Sequence, residues 1–503
     1  MIKKSPKVLI LVIFVGVCIS ILFRFRLLNT EGQMLKPVEE LKVRITASTQ
    51  LPDPTNVVST GDWYYLDHVS SGLTGYDNEK KIFAPVYAES WEVKSDGTHV
   101  FKIKKDLKFH DGTPLTVKDI LWSIKRHLIL RTSTHFPLWD YLVGCENVKT
   151  LNDICDGLKA SDNEIIIKLK AQTDSFFLQL ASPETGIWSA GDMDAQTAAL
   201  KPTKFSGPYF LESRTDDYAL LKRNENSPVS QKFPNSPRTI KIKRIPTAGL
   251  NKAITEKDVD LVIKQYSPYG EAAWEKLGIK AAATTPSSII YLFGLGNKSR
   301  VDVGQDLIRA LWNSNTDKVI TPAETFLPFA EDYSLNKSEF LNELPLATHK
   351  KIRILCPEGF FSEKFLDQFK KAALSVGSDI EFSQAGMKEF FEAFSDLKAT
   401  EKYDYILSLY VASERYPAVQ LRYMTKNLLT PPIDLKQTET PDLDINRKEI
   451  LKSYQKWLLK SKQAIPLFFD VTLFVHQSNL DLGAQSMSDG EIELWRVQKK
   501  KEL

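Results

Sequence analysis

The adjacent pair His110 and Asp111, inside LKFHDGTPLTVKDILWSIKRHL from residue 107 to 128, is where a general base beside a carboxylate would be sought first. Such a pair works when imidazole and carboxylate meet through space with a nucleophile in reach. Sequence neighbours in a tight turn point apart instead, and each residue of this turn has a structural duty. Gly112 tolerates positive φ, Pro114 keeps its neighbour extended, and Thr116 with Asp119 makes a T-x-x-D cap for the helix that follows. Nucleophile, metal and phosphate motifs do not compensate. The chain has no G-x-S-x-G, no H-E-x-x-H and no P-loop, GLGNKS lacks the third glycine of a dinucleotide fingerprint, and the 7 histidines are scattered. No catalytic residue, metal or cofactor is expected.

The 4 cysteines contain no C-x-x-C. Cys145 and Cys155 enclose a short loop that an exported protein could close as a disulfide, worth about 3 kcal/mol in the loop-entropy picture; two reduced, buried thiols are the other reading. Cys356, in the strand-like IRILCP, reads as a small core residue.

The elements that would position these groups change in texture along the 503 residues. From 41 to about 250, runs such as KVRITAS, THVFKIKKDLKF, NEIIIKLK, YALLKRN and TIKIKRIP alternate or are β-branched, separated by turns such as KSDG and SGP. In VFKIKKDLKF, Phe101 and Ile103 alternate with Lys102 and Lys104, the pattern of a half-buried strand. The clear helix starts at Thr116 and turns Ile120, Leu121, Ile124 and Leu128 inward. Beyond 250, helices alternate with strands. IRILC precedes a helix with Phe361, Phe365, Phe369 and Ala373 on one face; then come DIEFSQA, a helix in KEFFEAFSDLK, and the strand YDYILSLYV. This β-α-β-α-β order predicts a parallel or mixed sheet. A further helix in NRKEILKSYQKWLLKSKQ sets Ile450, Leu451, Tyr454, Trp457 and Leu458 on one side, and IPLFFDVTLFVHQSNL returns to strand before a frayed end.

Lys+Arg 66 against Asp+Glu 63 leaves no dominant charge, so nucleic acid is not an expected partner. The N-terminus is different. VLILVIFVGVCISILF, residues 8 to 23, carries no charge, follows Lys3, Lys4 and Lys7, and spans roughly 24 Å as a helix, which suits an export signal or a short anchor. Bulky Ile21, Leu22 and Phe23 stand where a cleaved signal wants small residues, and Val17 opposes a lipoprotein reading of Cys18, so a retained anchor is favoured over cleavage or lipidation. Residues 1–28 would be anchor, 29–40 a polar tether, and the rest extracytoplasmic, tethered to the inner membrane.

AESWEVKSDGTHVFKIKKDLKFHDGTPLTVKDILWSIKR also resembles the signature region of the large solute-binding proteins of ABC importers, the bacterial family 5 that includes receptors for oligopeptides, dipeptides and nickel. Ser206-Gly207-Pro208-Tyr209 before DYALLKRNEN, and IPLFFDVTLFVHQSNLDL near the end, are similar to two further blocks of that family. The resemblance implies an α/β, two-lobed periplasmic-binding-protein-like fold (type II, large class C) with mixed sheets and a hinge of crossing strands near 265–290 and 465–475. Lobe one would be 41–270 plus 470–503, and lobe two 271–469. It implies a monomeric extracytoplasmic receptor that captures a peptide or another small solute and delivers it to an ABC permease. A membrane-anchored, non-transporting sensor or scaffold on the same fold is the alternative, motivated by the anchor and a shortened 311–350 stretch. An exported enzyme lacks a motif. Peptide-binding members carry a Trp and then an Asp after the YDYILSLYV strand; here Tyr410 takes the aromatic position and Glu414 is the nearest carboxylate. The expected ligand-binding residues are Tyr269, Trp274, Tyr410, Glu414, Arg415 and Tyr416. A nickel reading finds no support in the histidines.

Overall fold

The alternating runs fold as strands. The computed structural model describes residues 35–44, 51–55, 57, 60–77, 80, 82–130, 141–170, 175–245, 249–265, 278–295, 302–315, 320–328, 334–349, 351–386, 389–390, 392–393, 402–411, 421, 444–483, 485 and 492–500. Within them a seven-stranded sheet has the order Ile279–Ala283, Thr472–Gln477, Leu261–Gln265, Glu40–Arg44, Thr239–Lys243, Tyr218–Arg223 and Tyr209–Arg214. A six-stranded sheet has the order Thr321–Pro322, Ala464–Asp470, Ser288–Gly294, Tyr405–Val411, Lys351–Pro357 and Asp379–Ala385. These two sheets form the bodies of two lobes.

The second lobe follows the expected β-α-β order. The 351–357 strand leads through the helix Glu363–Ser375 into the parallel 379–385 strand, and the 405–411 strand lies parallel on its other side. Phe361, Phe365, Phe369 and Ala373 are all buried, as their spacing predicts, and the helix Asp444–Lys460 buries Leu451, Tyr454 and Leu458 completely in the same core. At about 2 kcal/mol for each fully buried large apolar side chain, these faces decide where both helices lie.

Among the described residues the first lobe holds three apolar cores rather than one, of which the two largest meet at one helix. The second is built on a four-stranded antiparallel sheet, in the order Ala88–Val93, Thr98–Ile103, Glu164–Lys168 and Leu158–Ser161. Ser95-Asp96-Gly97 makes its first hairpin, with Asp96 Oδ1 accepting from the Thr98 amide at 3.1 Å and Gly97 at φ 79°. Cys145 and Cys155 are joined by a disulfide beside this sheet.

The helix Val117–Leu130 wedges between the two cores, so its burial is not one-sided. Ile120, Ile124 and Leu128 enter the four-stranded core, Trp122 enters the other, and Leu121 and Ile129 touch both. Asp119, Ser123, Lys125, Arg126 and His127 are buried as well, and each reaches a partner. Thr116 donates from its amide and hydroxyl to Asp119 Oδ2, both at 2.7 Å, while Asp119 Oδ1 accepts from the Ala190 amide at 2.7 Å. Lys125 donates to the Leu151 and Asp153 carbonyls, and Arg126 to the Ala198 carbonyl at 2.7 Å and to Asp53 at 2.5 Å. Leaving such a buried group without a partner would cost about 1–3 kcal/mol, so these bonds make a doubly buried helix tolerable.

Three expectations need correction. The strand 279–283 lies in the first sheet, although the division at 270/271 assigned it to the second lobe. Part of the expected 29–40 tether is folded, since Leu35 pairs with Lys500, Lys36 with Lys499, and a strand begins at Glu40. The same pairing makes Gln498–Lys500 a strand where a frayed end was expected. Residues 1–28 lie outside the described residues, among which no helix is long and apolar enough to cross a membrane.

Candidate functional site

The first two sequence blocks that carry the family resemblance meet in the first lobe, and their contacts are structural; the third spans both sheets. The His110 amide donates to the Phe205 carbonyl at 3.1 Å, and the Phe205 amide donates back to His110 Nδ1 at 3.2 Å. The imidazole packs on Phe210, with ring centroids 4.4 Å apart. Burial lowers its pKa against the opposing pull of Asp111 and Asp192. Asp111 Oδ1 accepts from the Thr113 amide at 2.9 Å and hydroxyl at 2.6 Å, closing the turn. Asn226 donates to the Phe109 carbonyl and Asn224 to the Gly207 carbonyl, both at 2.9 Å. Gly207 lies so close to the end of the helix Thr60–Val69 that a Cβ would sit 2.5 Å from the Ser70 amide nitrogen and 2.7 Å from the His68 carbonyl oxygen. His110 and Asp111 both hold this turn.

The lobes are connected elsewhere. The chain leaves the first sheet after Ala283 and enters the second at Ser288; it returns from Asp470 to Thr472. Both passages fall inside the windows 265–290 and 465–475. Thr284 donates from its amide to the Thr472 carbonyl at 3.0 Å, and Ser287 to that of Asp470 at 2.9 Å, so the passages cross as a hydrogen-bonded pair.

Strand direction then marks the crossing as the candidate cleft. In the first sheet the 40–44 strand has parallel neighbours on both sides, 239–243 and 261–265. Gln265, the last residue of its strand, pairs with Thr472 at the crossing, so this parallel trio points its carboxyl ends there. The second sheet repeats the plan, with the 351–357 strand between parallel 379–385 and 405–411. Val411 pairs with Ser288, so that trio also ends at the crossing. Open α/β sheets bind ligands outside the carboxyl ends of their strands, where the strand order reverses. Two such reversal points, one per sheet, face the same crossing. In the first lobe the 40–44 strand ends on Arg44, a mostly buried guanidinium whose Nε donates to the Ile245 carbonyl at 3.3 Å and whose pKa burial lowers.

Of the expected ligand residues, Tyr410 is described. It is the penultimate residue of the 405–411 strand, opposite Ile289, half-buried against the second core and next to the crossing. Tyr269, Trp274, Glu414, Arg415 and Tyr416 lie outside the described residues. Sequence reasoning missed Glu358, Gly359 and Phe360, which follow the 351–357 strand at its carboxyl end; Gly359, at φ 69°, is the turn signal that could have found them. An apolar depression among Leu311, Asn315, Phe365, Phe369 and Phe468 belongs to the second lobe between helices Gln305–Ser314 and 363–375, and is not the cleft.

Residues 83–307 match the family described as "Bacterial extracellular solute-binding proteins, family 5 Middle". The dipeptide-binding protein of Lactococcus lactis subsp. cremoris is 30% identical over 152 residues, 29% of this chain and 26% of that protein. The chain thus aligns with about a quarter of the length of this curated relative. The fold likeness is wider. Haemophilus influenzae OppA in complex with RPPGFSPFR superposes with a TM-score of 0.72 at 16% identity, over 93% of this chain and 100% of that one. The unliganded open form of the murein tripeptide binding protein MppA, also 16% identical, reaches 0.60 over 93% and 99%. The overall shape is nearer to that peptide complex than to that open form.

Proposed function

From the match of residues 83–307 to the family 5 bacterial extracellular solute-binding proteins, and from the crossing just described, we propose that this chain captures a peptide or similar medium-sized solute between its lobes and delivers it to an ABC permease. The observation that carries the reading is the pair of reversal points facing one crossing. A site built this way grips by shape and by a few placed polar groups, and asks nothing of a reactive centre. The cleft walls come from Tyr410 and the 358–360 turn on one side and from the carboxyl ends of the 40–44, 239–243 and 261–265 strands on the other. Tyr269, Trp274, Glu414, Arg415 and Tyr416 remain candidates for the same walls, with Glu414, the carboxylate nearest to where peptide-binding members carry an Asp, the candidate partner of a peptide's terminal ammonium. Closure occurs by bending at 284–287 and 470–472.

The apolar run 8–23 tethers the receptor to the inner membrane with both lobes outside the cytoplasm. Cell fractionation tests this half: the full chain should sediment with membranes and resist alkaline extraction, and recovery as a soluble, shortened chain would refute it.

Ligand capture is tested by a thermal-shift screen of the full chain in detergent against di- to pentapeptides, amino sugars and metal chelates. A solute that binds the folded form adds about 2.7 kcal/mol of stability at a hundredfold excess over its Kd. No shift with any peptide would remove the peptide reading.

A further inference from the structure

A closed ring of hydroxyls lies inside the crossing. The Thr472 amide donates to Thr284 Oγ1 at 2.9 Å. That oxygen is 3.0 Å from Ser287 Oγ, which is 3.3 Å from Thr472 Oγ1. Either hydroxyl of each pair can be the donor, so the two contacts link all three oxygens whichever way the hydrogens run. The three side chains are fully or almost fully buried, at 5% exposure for Thr284 and 0% for Ser287 and Thr472. Water therefore cannot stand in for a lost member. Beside the ring, the Val471 amide donates to the carboxylate of its neighbour Asp470 at 2.7 Å, pinning the middle residue of the return passage.

Lobe bending must change backbone dihedrals in these same segments. A ring spanning two crossing strands satisfies all its members in one relative setting of the strands and stretches in another. We infer that Thr284, Ser287 and Thr472 are positioning residues that favour the closed arrangement of the lobes, and so set the apparent affinity for every solute alike without touching any. This rests on the lobe-closure reading above. One net hydrogen bond between buried neutral groups is worth about 1 kcal/mol, so deleting one member should shift the closed-to-open ratio about fivefold toward open. The fraction of competent molecules enters directly into apparent affinity.

The test measures the distance between lobes in the full chain without any solute. Spin labels go on Asp216→Cys in the first lobe and Lys371→Cys in the second, both exposed, in a chain that also carries Cys18→Ser, while Cys356 is buried. In this background Thr472→Val removes the hydroxyl and keeps the shape, whereas Thr472→Ser keeps the hydroxyl and loses a methyl. The ratio of long- to short-distance populations should rise about fivefold in Thr472→Val and in Ser287→Ala, and stay at the parent level in Thr472→Ser. A distribution unchanged in Thr472→Val, or moved equally by Thr472→Ser, overturns the inference. If Ser287→Ala does not fold, the Thr472 pair decides alone. Because no solute enters the measurement, its outcome is separate from the peptide screen: failure of that screen leaves the distance result standing, and the reverse.

Discussion

Acidification should loosen the first lobe through one histidine. His68 is 1% exposed, its Nδ1 lies 2.6 Å from the Tyr64 carbonyl oxygen, and its Nε2 accepts the Leu494 amide proton at 3.3 Å. Tyr209 and Trp495 flank the ring. Both nitrogens are therefore used by the neutral tautomer, and protonating Nε2 would turn an acceptor toward a donor. Burial, only partly opposed by the Tyr64 carbonyl, lowers the pKa from 6.5 to about 4. The sign follows from linkage. Above pH 6.5 neither state holds the proton; as the pH falls from 6.5 toward 4 the unfolded chain takes it up and the folded chain does not, so stability declines. At about 1.4 kcal/mol for each pH unit of that window, the loss between pH 7 and 4.5 comes to about 2 kcal/mol. Urea unfolding of the full chain and of His68→Gln at several pH values isolates this share, because the other titrating groups are common to both. The gap between the two curves should narrow by about 2 kcal/mol on acidification; parallel curves would refute the buried neutral histidine.

Other substitutions probe the remaining supports. Gly207→Ala must move backbone rather than a flexible side chain, so a loss above about 3 kcal/mol is expected, and a melting temperature equal to the parent's would contradict the close packing. Replacing Cys145 and Cys155 together by Ser should cost about 3 kcal/mol, by freeing the ten-residue separation in the unfolded chain; denaturant titration with and without reductant measures it. Asp53→Ala leaves the buried Arg126 guanidinium without its carboxylate and should cost about 3 kcal/mol, whereas Lys102→Ala, which breaks an exposed pair with Glu89, should change the midpoint little.

Period and turn chemistry made much of this fold legible. Phe101 and Ile103 alternate as a strand must, Thr116 and Asp119 mark a helix start, and Phe361, Phe365, Phe369 and Ala373 repeat at helical spacing. What local pattern could not convey was how many neighbours an element has. Trp122 sits on the face opposite Ile120, Ile124 and Leu128, and a second core behind that helix is invisible in a window of its own residues. The strand 279–283, IKAAA, buries fully only Ile279 and shows no alternation, so the end of the first lobe was set too early. Leu35 and Lys36 are strand residues only because the far end of the chain pairs with them. The crossing was legible as a pair of windows, and the position of Tyr410 beside it was legible too. Glu358 and Phe360 were not, because strand direction, which no local pattern contains, is what points the 351–357 strand at the crossing.

The order of strands in the first sheet also constrains how the molecule is made. The 472–477 strand fills a slot between 261–265 and 279–283, so a chain emerging N-terminus first carries an open gap in that sheet until almost all of it has been made. The second lobe is one uninterrupted stretch and can condense in the meantime. Maturation of the first therefore waits on the last strands to arrive, and truncation near the C-terminus would leave a finished lobe two hanging from an unsealed partner.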